Sequence, residues 1–157
     1  MKQALRPLYV AEPSATFTLR PPAVVDSSVM CSALFDEPER AQAFEQMAAK
    51  VLWAPRLLGY EVISVALKKL RQGAVREAIE RALADYFRHT IEIVDPAHDE
   101  QFELAVRYGL STYDAAYLWL AAELRAPLLT FDKKLGLAAK SHLESLGCAG
   151  HAAAQAH

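Results

Sequence analysis

The stretch LSTYDAAYLWLAAELRAPLLTFDKKL, residues 110–135, decides the fold that we predict for this chain. Its first half has the length and the S-x-x-D capping box of a helix, which we place over residues 111–125. The apolar run Pro127–Thr130 is typical of a short buried strand, and another helix then begins at Asp132. An acidic residue therefore stands near the start of each helix, Asp114 before the strand and Asp132 after it.

The same alternation of strands and helices extends outward over the rest of the chain. Further buried strands are predicted at residues 23–25, 51–54 and 91–94, and the segments between them carry helical spacing of apolar residues. Strands separated by helices need crossover connections, which favours a mainly parallel sheet with helices on both faces. We therefore predict an α/β protein with a three-layer α/β/α sandwich. Its parts are an N-terminal extension or arm at 1–22, one domain at 23–147 and a flexible tail at 148–157.

Prolines and glycines mark most of the predicted helix boundaries. Pro55 and Pro96 are each placed in a first helical turn, where the missing amide N–H does no harm. Gly73, Gly109 and Gly147 are each expected to end a helix, because glycine readily adopts the backbone conformation found there. These residues divide the chain between the strands into segments of ordinary helix length.

The composition is that of a globular protein without a strong overall charge. The 157 residues are 53% hydrophobic and 23% charged, with a formal net charge of −2 and a pI of about 6.2. A global basic field for nucleic acid is therefore absent, although a local basic patch is still possible. The chain contains no apolar run of the ~18 residues that a membrane span needs and no recognisable signal peptide. Cys31 and Cys148 are then expected to be free thiols of a cytoplasmic protein, and the histidines lack zinc-binding spacing.

Four acidic residues at the edges of apolar segments are the candidate site: Asp26, Glu61, Asp114 and Asp132. If the fold gathers them, they repel one another and lose solvation, and a divalent cation offsets that cost. Hard oxygen ligands suit Mg²⁺ or Mn²⁺, which can activate water and stabilise a phosphodiester transition state. Asp26 and Asp132 follow predicted strands, and ligand sites in parallel sheets lie at those carboxyl ends. We therefore expect the four carboxylates to share one pocket.

Each acid also has an ordinary structural explanation. Asp26 and Asp132 can serve as helix N-caps, and Asp114 completes a capping box with Ser111. Glu61 lies on the apolar face of its helix, so it needs a partner or a metal unless it sits at an edge open to solvent. The spacing along the chain leaves both interpretations open.

Several neighbours of the acids could assist a site. Thr130 would point to the same face as Asp132 and could orient water or support a ligand. Lys133 and Lys134 could hold the backbone phosphates of a nucleic acid near the site, and Lys68 and Lys69 are weak candidates for the same role, but a solvated surface is the more ordinary explanation for all four. Tyr60 and Tyr113 each precede an acid and could stack on bases, but burial beside the core is the simpler interpretation. The sequence has none of the motifs GxxxxGK[ST], GxGxxG and GxSxG.

The segments VVDSSV, YEVISVALKKL, LSTYDAAYLWLA and LLTFDKKL, in this order, resemble a PIN domain, in particular the VapC-type toxins of toxin–antitoxin pairs. The resemblance covers about residues 23–146. It implies an α/β/α sandwich with Mg²⁺- or Mn²⁺-dependent endoribonuclease activity. The residues that it marks as catalytic are Asp26, Glu61, Asp114 and Asp132, with Asp26, Asp114 and Asp132 as metal ligands and Ser28 and Thr130 in support.

The resemblance also implies partners. They are a small cognate antitoxin, an RNA substrate and a second copy of the chain in a homodimer. The apolar stretches 62–70 and 78–87 could contribute to such surfaces, although core packing is their default use. A catalytically idle PIN-like binding module, or an RNA-processing nuclease outside a toxin–antitoxin system, are the alternatives. The family commonly has Asn beside its Glu, whereas Tyr60 and Val62 flank Glu61 here.

Overall fold

The computed structural model describes residues 20–154, with side chains through residue 146. Over this part the chain alternates strands and helices as the sequence predicts. In chain order the elements are β1 (Pro22–Val25), α1 (Ser27–Leu34), α2 (Arg40–Met47), β2 (Val51–Pro55), α3 (Leu57–Arg71), α4 (Arg76–Arg88), β3 (Ile91–Val94), α5 (His98–Tyr108), α6 (Thr112–Leu124), β4 (Leu128–Leu129) and α7 (Lys133–Ala154).

The four strands form one parallel sheet in the order β3-β2-β1-β4. This confirms the predicted α/β class and the parallel sheet. The chain passes from β1 to β2 and β3 on one side, and β4 then returns to the other side of β1. The gap between β1 and β4 is therefore the topological switch point, where ligands bind in sheets of this kind.

The core is built around β1 and α6. Ala23, Val24 and Val25 have no solvent exposure, as expected for the inner strand of a sheet covered on both faces. Helix α6 is apolar on nearly all sides, with six of its residues buried, and it packs against β1, β2 and β4. A helix without a polar face has to lie inside the domain, and this one fixes the position of its own N-terminus beside the sheet.

The glycine boundaries at residues 73 and 109 are confirmed, and the two proline boundaries are wrong by a few residues. Gly109 ends α5 with φ of +62°, and Gly73 lies between α3 and α4 with φ of +94°. Pro55 is the last residue of β2, opposite Val94, because a strand end tolerates a residue without an N–H donor. Pro96 lies two residues before the first residue of α5.

The predicted end of the last helix is also wrong. Helix α7 continues through Gly147 to Ala154. A glycine ends a helix only where the backbone turns left-handed or a breaker follows, and here the helical backbone continues past Gly147. Residues 1–19 of the expected arm and 155–157 of the expected tail lie outside the described residues, as does the side chain of Cys148. Among the helices described, none is both long and apolar enough to cross a membrane.

Candidate active site

Asp26 is a buried carboxylate at the carboxyl end of β1, with only 4% of its surface exposed. It caps α1 by accepting a hydrogen bond from the Val29 amide at 3.1 Å. The same oxygen, Oδ1, accepts from Ser28 Oγ at 2.6 Å, and Oδ2 accepts from Thr130 Oγ1 at 2.6 Å. Burial raises the pKa of Asp26 above its ordinary value, while these hydrogen bonds act in the opposite direction. The N-cap interpretation of Asp26 is therefore right. The same hydrogen bonds also fix its carboxyl group at the switch point.

The turn after β4 joins Asp132 to Asp26 through Thr130. The Thr130 hydroxyl accepts from the Asp132 amide at 2.9 Å while it donates to Asp26. Ser28 Oγ accepts from the Phe131 amide at 2.9 Å, which is a second tie between the two loops. Asp132 itself is exposed and caps α7 by accepting from the Leu135 amide at 2.7 Å. The hydroxyl residues thus hold the loops after β1 and β4 together.

Asp114 lies in the first turn of α6 and is half-buried. Ser111 is the N-cap, because its Oγ accepts from the Asp114 amide at 3.0 Å. The same hydroxyl donates to Asp114 Oδ2 at 2.7 Å. The predicted capping pair of Ser111 and Asp114 is present, although the carboxylate accepts from the Ser111 hydroxyl rather than from its backbone N–H. The pair ties the Asp114 carboxylate to the helix N-terminus, where the helix dipole favours its negative charge.

Glu61 lies near the start of α3 and is half-buried. Its Oε2 accepts a hydrogen bond from the hydroxyl of Tyr117, a fully buried residue of α6. Burial is the main cause that raises the pKa of Glu61, and the charges of Asp26 and Asp114 raise it further, while hydrogen bonds lower it. Of the two interpretations of Glu61, the one with an internal partner is right.

Tyr117 is the residue of this site that the sequence interpretation missed. It lies three residues after Asp114 on a helix that is apolar almost all round, so hydropathy does not single it out. The available signal is chemical, because a tyrosine hydroxyl inside a core has to find an acceptor. Glu61 is that acceptor.

The carboxylates do not form a closed metal cage. Among the side chains described, those of residues 20–146, no three from His, Cys, Asp or Glu stand close enough together to hold one metal ion. The donors nevertheless suit Mg²⁺ or Mn²⁺, since they are carboxylate oxygens. The charges of Asp26 and Asp114 add to the effect of burial in raising the pKa of Glu61, and a cation would relieve that repulsion. The sharing of one pocket by all four acids stays a prediction.

The basic candidates lie in different places. Lys133 is exposed beside Asp132, whereas Lys134 Nζ donates to the Gly109 carbonyl and joins α7 to the end of α5. Lys69 pairs with Glu37, and Lys68 lies seven residues beyond Glu61, about 10 Å further along the helix axis.

The two tyrosines beside the acids lie at the surface. Tyr60 is 72% and Tyr113 64% exposed, so the simpler interpretation, burial beside the core, is wrong for both. Both rings are available to solvent next to Glu61 and Asp114, as a stacking role would require.

The PIN domain family model matches residues 23–141, and this chain belongs to the PIN domain family. Ribonuclease VapC3 from Pyrobaculum aerophilum is 32% identical over 120 residues, which are 71% of this chain and 90% of the relative.

Two solved structures share the fold. The crystal structure of PAE2754 from Pyrobaculum aerophilum superposes with a TM-score of 0.58 at 21% identity, over 83% of this chain and 98% of that one. Mycobacterium tuberculosis VapC20, a toxin that cleaves the sarcin–ricin loop, gives a TM-score of 0.54 at 15% identity, over 74% of this chain and 94% of that one. At these identities the structural likeness speaks for the fold alone.

Proposed function

We propose that this protein is a Mg²⁺- or Mn²⁺-dependent endoribonuclease that acts as the toxin of a toxin–antitoxin pair. The observation that carries the proposal is the buried Asp26 carboxylate at the carboxyl end of β1, which the Thr130 hydroxyl ties to the loop that holds Asp132. The family and the ribonuclease relative supply the reaction class. The metal ligands are proposed to be Asp26, Asp114 and Asp132.

The chain's own residues hold the acidic oxygens in place before any substrate arrives. The hydroxyls of Ser28 and Thr130 fix both oxygens of Asp26, and the Ser111 hydroxyl holds Asp114. A bound cation would supply charge neutralisation and a water of lowered pKa at this position. Since Mg²⁺ keeps several waters and is often completed by substrate phosphates, the proposed site binds its ion weakly until RNA is present.

RNA contact is assigned to the surface around the acids. Lys133 lies in the first turn of α7, where the backbone N–H groups also favour a phosphate. The exposed rings of Tyr60 and Tyr113 offer stacking faces for unpaired bases. Lys134 is already bonded to Gly109, and Lys68 and Lys69 lie further away, so we give them a smaller part.

The antitoxin is assigned to the apolar surface between α3 and α4. Ile63, Leu67 and Val75 are exposed there. A cavity of about 300 Å³ opens between the two helices and is lined mostly by aliphatic side chains. Exposed apolar surface of this kind is typical of a protein interface, and a homodimer could use part of the same face.

The test is cleavage of a defined RNA panel by the full chain with Mg²⁺, Mn²⁺ or EDTA. We expect cleavage with either metal and none with EDTA. Asp114→Asn should lower the single-turnover rate by at least about 100-fold, because several kcal/mol of charge stabilisation are lost. Its melting temperature should stay close to that of the wild type, since the amide can still accept from Ser111.

Asp99→Asn is the matched control, because Asp99 is an acid in the first turn of the neighbouring helix α5. We expect it to cleave at the wild-type rate. A folded wild-type protein that binds RNA but cleaves no member of the panel would instead support a catalytically idle binding module. Normal cleavage by Asp114→Asn would remove Asp114 from the site.

A further inference from the structure

Tyr117 places a polar atom inside the core at a position that the proposed reaction does not yet use. The side chain is only 1% exposed and is among the largest of the fully buried side chains. Its ring is held by the core, so two torsion angles determine the position of the hydroxyl. That hydroxyl donates to Glu61 Oε2, and it therefore links helix α6, which carries Asp114, to helix α3, which carries Glu61.

Glu61 needs such a donor more than an ordinary surface glutamate does. Its side chain has three rotatable bonds, and the neighbouring charges of Asp26 and Asp114 disfavour a negative carboxylate near them. Without a donor, the side chain would lower its energy by turning toward solvent. A donor on a rigid ring keeps one oxygen at a fixed point.

We propose that Tyr117 is the positioning residue for Glu61, holding its carboxylate in the proposed active site with Asp26 and Asp114. The inference rests on the proposed function and deepens it. Tyr117 does not touch substrate in this assignment. It acts through Glu61, and this makes its contribution separable by experiment.

The test is Tyr117→Phe, which removes the hydroxyl and keeps the ring. A hydrogen bond to a charged group contributes enough that its loss should lower kcat by about 10-fold or more. KM for RNA should change little, because the RNA surface is untouched. The matched control is Tyr108→Phe, which removes a half-buried hydroxyl bonded to His142 Nδ1 at 3.0 Å and should leave kcat within twofold of the wild type.

A double-mutant cycle separates positioning from general loosening of the core. If Tyr117 acts through Glu61, the change Tyr117→Phe should lower kcat by less than twofold in a Glu61→Gln background. Effects that multiply in the double variant would overturn the proposal. So would a Tyr117→Phe protein that cleaves within twofold of the wild-type rate.

A readout without turnover distinguishes this proposal from the proposed function. Mn²⁺ is titrated calorimetrically into the full chain in the presence of a nucleoside 5′-monophosphate, which supplies a phosphate but has no internucleotide bond to cleave. We expect Tyr117→Phe to bind Mn²⁺ several-fold more weakly than the wild type and the Tyr108→Phe control. Equal Mn²⁺ binding in all three proteins overturns the role of Tyr117. A wild type that fails to cleave any RNA refutes the proposed function, and the same titration still decides on Tyr117.

Discussion

The Thr130 hydroxyl is the single group whose removal tests the site most directly. It donates to the buried Asp26 Oδ2 at 2.6 Å and accepts from the Asp132 amide at 2.9 Å. Thr130→Val keeps the shape of the side chain and deletes both hydrogen bonds. The loops after β1 and β4 then lose one of the two hydroxyl links that join them.

The size of the effect follows from the surroundings of each bond. A hydrogen bond to a charged group contributes about 1.5–3 kcal/mol, and water cannot easily replace this one because Asp26 is 4% exposed. The bond to the Asp132 amide lies in an exposed turn, so solvent recovers most of it. A loss of about 2 kcal/mol should lower the melting temperature of a protein of this size by roughly 4–8 °C.

The pH dependence has a definite sign. The Thr130 hydroxyl favours the ionised form of Asp26, so its contribution is present above the pKa of that group and is lost as the pH falls through it. The difference between Thr130→Val and the wild type should therefore shrink in acid.

The assay is thermal unfolding at neutral and acidic pH, followed by circular dichroism. Thr112→Val is the control, since Thr112 is exposed at the start of α6 and accepts a hydrogen bond through its backbone carbonyl rather than its hydroxyl. The reasoning fails if Thr130→Val melts within about 1 °C of the wild type at neutral pH. It fails also if the melting temperature of Thr112→Val falls by as much as that of Thr130→Val.

Three further outcomes follow from the same contacts. Glu61→Gln should lower cleavage by about 100-fold yet raise stability at neutral pH by up to about 1 kcal/mol, because it removes the cost of burying a charge and the repulsion with Asp26 and Asp114. In the folded protein the pKa of Glu61 lies above its ordinary value of 4.5, so protonated Glu61 stabilises the wild type below that pH and this stabilisation is lost as the pH rises. The extra stability of Glu61→Gln over the wild type should therefore vanish when both proteins are melted in acid. Mn²⁺ at millimolar concentration should raise the melting temperature of the wild type, and this shift should be smaller in Glu61→Gln; an equal shift would place the ion elsewhere. Gly109→Ala should destabilise the protein by about 1 kcal/mol or more because its φ is +62°, whereas Gly136→Ala, inside α7 with room for a methyl group, should be neutral or stabilising in the same urea titration.

Local features of the sequence predict the helices and strands better than they predict which of these elements contact one another. The Ser111–Asp114 capping pair and the stop at Gly109 depend on a few adjacent residues, and both are present. Pro55 and Gly147 were misplaced because each residue fits more than one setting. A proline can close a strand as well as open a helix, and a glycine within a run of helix formers need not end it.

The assembly of the site could not be read from spacing. Asp26 and Thr130 are 104 residues apart and become neighbours only because β4 returns to the free side of β1. Strand order depends on the packing of the whole domain, which no single segment encodes. Tyr117 escaped notice for a related reason, since a helix buried on most sides has no periodic pattern that marks one of its positions.

The position of β4 late in the chain bears on when activity can arise during synthesis. Asp26 leaves the ribosome early, but the strand that delivers Thr130 and Asp132 pairs with β1 only after more than 100 residues have followed. Pairings between such distant segments close late in folding, because a long loop must be ordered first. A nascent chain that ends before Leu128 therefore carries the first carboxylate without the hydroxyl that holds it. The proposed nuclease would thus stay inert until β4 has been synthesised and has paired with β1.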